Sequence, residues 1–219
     1  VKKLILDLCG GTGAWSKPYA DNPDEYERLI ITYPDYDVCT FDPPDNVYGI
    51  LAAPPCTMFS RARTNDLKQP RDLVGAMKVV NACLSIIHKC LYKNVKNGLR
   101  FWALENPSTG YLKKFLGYPH LIFQPYEYGD PYTKQTALWG YFNIPKKKPV
   151  EPLTSDNTIF IPAIPSMPVT NFVCQPGNFA FLKNEIPTGY KEKTGYRTDQ
   201  ILRSMTPSGF ANAFYKANR

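Results

Sequence analysis

Histidine is nearly absent from this chain: His88 and His120 are the only two among 219 residues. The six cysteines, Cys9, Cys39, Cys56, Cys83, Cys90 and Cys174, are scattered, and no two form a C-x-x-C pair. With so few imidazoles and no paired thiols, a zinc site is poorly supported, and so is a dense disulfide framework. Reduced thiols in a cytoplasmic protein are the expected state. No unbroken apolar run approaches the roughly 18–20 residues of a membrane span, so no membrane partner is expected. No signal peptide is expected either, because "VKKLILDLCGG" runs strand-like residues straight into glycines. Internal repeats are not visible.

What is present is a hydrophobic fraction of 43%, enough for a sizeable core, and a net charge of +7. The basic balance suits a polyanionic partner, although many basic proteins never meet nucleic acid. Strand-like segments alternate with helical ones as far as residue 142. "KLILDL", "ERLIITYP", "YDVCTF", "YGILAA" and "LRFWALENP" read as strands, with "LIFQPYEYG" and "TALWGYF" adding two more. "AWSKPYADN" reads as a short helix broken by Pro18. Between Asp72 and Tyr92 apolar residues recur at three and four, which predicts an amphipathic helix with Asp72 at its start. This pattern predicts an α/β protein with a doubly wound, mostly parallel sheet whose ligands bind at the C-terminal ends of the strands. Residues 1–142 form the expected core. Residues 143–195, rich in proline and weakly periodic, form a small irregular lobe, and 196–219 a helical tail returning to the core, with Pro207 at a helix start.

Three strand ends carry the chemistry. In "LILDLCGGTG" a strand enters a glycine-rich turn, where Gly11 and Gly13 best fit a close backbone approach to a ligand and Asp7 can accept hydrogen bonds from ligand or turn. Neither the phosphate loop nor G-x-G-x-x-G is present, so a sulfonium nucleoside fits better than ATP or NAD. Glycine-rich turns without ligands are common, and the motif alone leaves both readings open. In "YGILAAPPCTMFSRAR" a thiol follows the end of a strand, behind two prolines and ahead of Arg61 and Arg63. Free cysteines are usually core residues, which suits Cys83 on the helix and Cys39 in a strand. Cys56 instead reads as a nucleophile in a reachable loop, with the arginines lowering its pKa or holding phosphates. In "WALENPSTG" Glu105 stands at a strand tip, a poor choice for packing, and reads as a ligand-facing acid. No histidine is placed to serve Cys56 as a protease base.

Together these residues resemble the cytosine-C5 DNA methyltransferases. "LDLCGGTG" is similar to the cofactor motif of class I methyltransferases, with Cys9 at the first glycine; "APPCTMFS" resembles the Pro-Cys nucleophile motif; "ALENP" resembles the Glu-Asn motif that contacts the target base. Order and spacing agree over residues 3–142. The family's arginine-rich "YGVPQRRxR"-like segment corresponds here to "YGDPYTKQTALWG", where Lys134 alone keeps a cation beside Thr133 and Thr136. The tail "RSMTPSGFANAF" lacks the family's Gly-Asn-Ser.

The resemblance implies a Rossmann-like fold and methyl transfer from S-adenosylmethionine to C5 of cytosine in DNA. Cys56 would add to the ring, and Glu105 would hydrogen-bond and protonate it. Asn106 would orient the glutamate's loop, Arg61 and Arg63 would steady the closing loop or a phosphate, and Lys134 would neutralise charge near O2. The cofactor would lie over Gly11 and Gly13, with Asp7, Cys9, Trp15 and Pro54 bordering it and Asp35 as the ribose acid. No metal is implied. The partner would be double-stranded DNA with its target base flipped, bound by a monomer. Lys146, Lys147 and Lys148 would supply part of the attraction, or are a solvated loop. An RNA cytosine-C5 methyltransferase, and a catalytically weak nucleic-acid-binding relative, are the alternatives.

Overall fold

A computed structural model of the chain describes residues 1–61, 63, 69–93, 98–150 and 182–219. Its strands are β1 (Lys3–Leu8), β2 (Tyr26–Ile31), β3 (Val47–Ala52), β4 (Phe101–Pro107), β5 (Leu121–Phe123) and β6 (Thr136–Tyr141). They form one sheet in the order β2-β1-β3-β4-β6-β5. The pairs among β2, β1, β3 and β4 are parallel, whereas β6 runs antiparallel to both β4 and β5. The helices are α1 (Lys17–Ala20), α2 (Leu73–Lys93), α3 (Lys113–Leu116), α4 (Tyr190–Thr194), α5 (Thr198–Ser204) and α6 (Ser208–Ala217).

Strand alternation divides the core into two layers. Leu4, Leu6 and Leu8 of β1, Ile50 and Ala52 of β3, and Leu104 of β4 face α2, where Val80, Cys83, Ile86, Ile87 and Cys90 complete the cluster. The intervening Ile5, Leu51, Phe101 and Ala103 face the other way, into an aromatic layer of Trp15, Tyr19, Tyr26, Phe210 and Phe214. Within it Phe210 stacks on Phe123 with ring centroids 3.8 Å apart, and Trp15 meets Phe214 edge-on at 5.5 Å. The chain's first and last helices, α1 and α6, thus cover one face while α2 covers the other. The expected α/β architecture is the one observed, as a mixed six-stranded sheet.

Several local expectations change. "YDVCTF" is not a strand: the Asp37 side chain accepts a hydrogen bond from the Cys39 amide at 2.9 Å, and this side-chain turn replaces sheet pairing. Cys39 is therefore exposed rather than a strand-core residue. Pro18 lies in the first turn of α1 and helps to start that helix instead of breaking it, as proline does where the N–H is not needed. Asp72 caps α2 as expected, accepting from the Gly75 amide at 2.7 Å. At 20 residues, the stretch Leu73–Tyr92 of α2 is long and apolar enough to qualify as a membrane span by length and composition, contrary to the expectation from unbroken runs. Its Val80–Cys90 stripe packs on the sheet, which is the behaviour of an amphipathic core helix. Residues 151–181, most of the expected lobe together with Cys174, lie outside the described residues.

Because Phe210 is fully buried between Phe123, Tyr128, Trp15 and Phe214, Phe210→Ala is expected to cost about 3–5 kcal/mol in a urea titration. Tyr118, fully open to solvent, is the control: Tyr118→Ala should stay within about 0.5 kcal/mol of wild type. Equal effects of the two would contradict the placement of α6 in the core.

Candidate active site

Parallel pairing sets the tips of β3 and β4 side by side. Ala52 is registered against Leu104, so Cys56, four residues past Ala52, and Glu105, next after Leu104, emerge at the same end of the sheet. The antiparallel β6 enters from that end: Leu138 lies opposite Glu105 and Thr136 opposite Pro107, which puts Lys134, two residues ahead of β6, at the same rim. Asn106 locks the two tips together, its Nδ2 donating to the Pro54 carbonyl at 3.0 Å. That bond gives Asn106 and the buried Pro54 structural places: the first holds the glutamate's strand against the cysteine's loop.

Cys56, Glu105 and Lys134 each keep some accessible surface. Burial pushes the Cys56 thiol above the ordinary cysteine range, the Glu105 charge pushes it further, and Lys134 pulls it back. Glu105 is likewise raised by burial and lowered by Lys134. The three groups therefore feel one another, and the cation acting on the thiol is Lys134, not Arg61 or Arg63 as expected from the sequence. Lys134 is held by its Nζ donating to the Met205 carbonyl at 2.9 Å and by its amide donating to Gln124 Oε1 at 2.9 Å. Thr136 donates its hydroxyl to the Lys134 carbonyl at 2.8 Å, fixing the same turn.

The loop after Cys56 is braced from inside. Ser60 and Phe59 donate their amides to the Cys56 carbonyl at 2.7 and 2.9 Å, and Phe59 is fully buried. Arg63 bonds to Met58 Sδ and the Gln69 carbonyl, so it serves the loop; Arg61 is exposed. The principal clamp is Arg71, which sequence reasoning missed. Its Nη1 donates to the carbonyls of Met58 and Ser60, both at 2.8 Å, while its guanidinium lies 5.0 Å from the centre of the Tyr111 ring. Only the arginine's position just outside the motif could have hinted at this.

At the glycine turn, Cys9, Gly11 and Gly13 all adopt left-handed backbone, with φ of 55°, 56° and 72°. Glycine does this at little cost and cysteine does not, so Cys9 holds a backbone conformation that a glycine would adopt more easily. The Cys9 side chain packs toward the core beside Cys83, so only its backbone belongs to the turn. Asp7 is fully buried and accepts from the Ser16 hydroxyl, with its other oxygen, Oδ1, unpaired among the described residues. Arg28 of β2, also missed, donates to the Gly13 carbonyl at 3.1 Å and faces Asp7 electrostatically. The turn is thus shaped by Asp7, Ser16 and Arg28: Asp7 lies buried beneath Gly10 and Gly13 is buried against Ile30 and Arg28, while the partly exposed Gly11 offers a ligand close backbone approach. These features fit a nucleoside cofactor.

Two expected cofactor residues are placed elsewhere. Trp15 is 2% exposed in the aromatic layer, where its ring meets Phe210 and Phe214 rather than a pocket. Asp35 lies on an exposed turn beyond the end of β2, paired with Lys193 of α4. Of the lysine run, all exposed, Lys147 is paired with Glu127 at 2.5 Å.

Four parallel strands, a reversed β6 inserted between β4 and the edge strand, and helices on both faces define a Rossmann-like methyltransferase fold. Among solved structures the chain is similar to the Entamoeba histolytica methyltransferase EhMeth, with a TM-score of 0.51 and 10% identity over 99% of this chain and 98% of that one. No protein-family model and no curated protein matches it. At that identity the likeness is one of fold.

Two outcomes test the electrostatics. Glu105→Gln removes the charge that raises the thiol, so alkylation of Cys56 by iodoacetamide, followed on its own peptide, should speed up at neutral pH, and Lys134→Met should slow it. Unchanged rates would separate the three groups. Burial raises the Asp7 carboxyl from 3.8 to about 6. Below pH ~4 it is protonated folded and unfolded; above that only the unfolded chain readily releases its proton, so its contribution to stability falls as pH rises to about 6 and is level beyond. The stability difference between wild type and Asp7→Asn should therefore shift against wild type by roughly 2–3 kcal/mol between pH ~4 and pH ~7. A pH-independent difference would contradict the buried carboxyl.

Proposed function

We propose that the chain is a methyltransferase that uses S-adenosylmethionine to methylate C5 of cytosine in DNA through a covalent Cys56 adduct. The observation that carries this reading is the convergence of Cys56, Glu105 and Lys134 from three separate strand ends on one rim of the sheet. A thiol beside a carboxyl of raised pKa and a fixed cation suits addition to an electron-poor ring. Binding alone requires neither the thiol nor the buried acid.

Cytosine C5 is a poor nucleophile, and the chain's residues change that. Cys56 Sγ, as thiolate, forms a bond to C6 and pushes the ring electrons toward C5 and N3. Burial raises the Glu105 carboxyl and so favours its proton; in that form it donates to N3 as the charge develops. The same protonation matters to the thiol: a neutral Glu105 no longer repels a thiolate, and Lys134 then favours it. A base that accepts the Glu105 proton-bearing hydrogen bond thus finds a more reactive cysteine. When bound, S-adenosylmethionine supplies the electrophilic methyl group. Gly11, Gly13 and the Asp7 turn would hold it. Loss of the C5 proton to solvent then lets Cys56 leave as thiolate while N3 returns its proton to Glu105, restoring the ring and the acid. Arg71 contributes by bracing the Cys56 loop through the Met58 and Ser60 carbonyls.

The basic surface, with Lys146 and Lys148 exposed, favours a polyanion over a small substrate. Nucleoside mass spectrometry on DNA and RNA from cells expressing the wild-type chain or Cys56→Ala tests the assignment. A 5-methylcytosine signal in DNA that depends on Cys56 is the expected result. A signal confined to RNA would reassign the substrate, and a signal surviving in Cys56→Ala would overturn the nucleophile.

A further inference from the structure

The described C-terminal segment, residues 182–209, crosses the C-terminal ends of the strands and touches a different loop with each of its parts. Leu182 and Ile186 pack with Tyr190, Ile201, Leu202 and Met205 against Ala14 of the glycine turn. The Tyr190 hydroxyl oxygen lies 3.4 Å from where a Cβ on Gly11 would stand, so it sits directly over the open side of that turn. Three residues on, Lys193 of α4 pairs with Asp35 on the turn beyond β2. At the far end Asp130 holds the start of α6, accepting from the Ser208 hydroxyl at 3.1 Å and the Gly209 amide at 2.9 Å. α4 is therefore tied to the loops after both β1 and β2, which are the two loops that flank a nucleoside bound at the end of such a sheet.

We propose that Tyr190 is a cofactor-contacting residue, held over the Gly11 turn by α4, and that the Lys193–Asp35 ion pair is the latch keeping it there. This rests on the reading of the glycine turn as the S-adenosylmethionine site. A phenol over a side-chain-free turn offers what such a ligand lacks from the turn itself. The hydroxyl both donates and accepts, and the ring presents a face to an adenine or a sulfonium. Tyr190 is half-buried, so its ring is fixed by Ile186 and Leu182 while its hydroxyl edge stays near the turn. The latch is of the reversible kind: both side chains are about half exposed, at 48% and 50%, where ion pairs are weak and screened by salt. Asp35 then has a role different from the ribose acid expected from the sequence. It holds the element that covers the cofactor rather than the cofactor.

Isothermal titration of the full chain with S-adenosylmethionine tests this. Tyr190→Ala is expected to weaken binding about tenfold or more, and Tyr190→Phe, which keeps the ring packing and removes only the hydroxyl, about threefold. Lys193→Glu should speed cofactor dissociation, the wild-type dissociation rate should rise with salt, and the exchange Lys193→Glu with Asp35→Lys should restore slow release. Wild-type affinity in both Tyr190 variants, or tighter binding in Tyr190→Ala, would overturn the contact while leaving the cofactor site standing. Absence of binding by the wild-type chain would overturn both, and Tyr190→Phe guards against loss of binding through misfolding.

Discussion

The hydrogen bond from Asn106 to the Pro54 carbonyl, 3.0 Å long and buried, is the constraint on which the rest of the site depends. Parallel strands fix register but leave the chain free once pairing ends, and both reactive groups lie at that boundary. Pro54 and Pro55 stiffen one tip, and β6 continues to pair with the other as far as Pro107. The amide of Asn106 joins the two. With its donor used and its Oδ1 unpaired among the described residues, Asn106 has no packing reason to be buried. Its value is geometric: it sets the height of the Cys56 loop relative to the Glu105 carboxyl, from which the shared electrostatics of the thiol, the acid and Lys134 follow.

A second theme is the dependence of the site on the chain's end. Lys134 is held by the Met205 carbonyl, the 130–135 loop by the start of α6, and the glycine turn is overlaid by Tyr190. Gly209 is needed where it stands, since a Cβ there would collide with the Tyr128 carbonyl. α6 in turn fills the aromatic layer with Phe210 and Phe214. The C-terminal segment thus carries packing energy at one end and site geometry along its length, so stability and site order are linked through the same residues.

Much of this was legible in the sequence. The apolar runs of β1, β3, β4 and β6 and the three-four spacing of α2 are the signals, and the structure has those elements close to the expected bounds. Cys56, Glu105 and Lys134, which the structure brings to one rim, are legible as candidates because each stands near a strand end or next to a recognisable motif. What failed had a different physical character. Tyr36–Phe41 reads as a strand by composition, yet the Asp37 side chain competes with pairing and wins. Trp15 sits one turn from the glycines in sequence, but burial of its ring against Phe210 and Phe214 outweighs that proximity. Arg71, Arg28 and Tyr190 act through contacts separated in sequence by up to 179 residues, as between Tyr190 and Gly11, and local pattern carries no trace of them.

The central claim is that the Cys56 thiol bonds covalently to a cytosine ring before methyl transfer, and a trapped adduct reports on it most directly. A duplex bearing 5-fluorocytosine blocks the final proton loss, because fluorine occupies the position from which the proton would leave. Incubated with S-adenosylmethionine and the full chain, it should give a denaturation-resistant protein–DNA complex with the methylated, fluorinated base on the Cys56 peptide, and none with Cys56→Ala. An adduct on another residue, or methylated DNA with no adduct trapped, would contradict the covalent route.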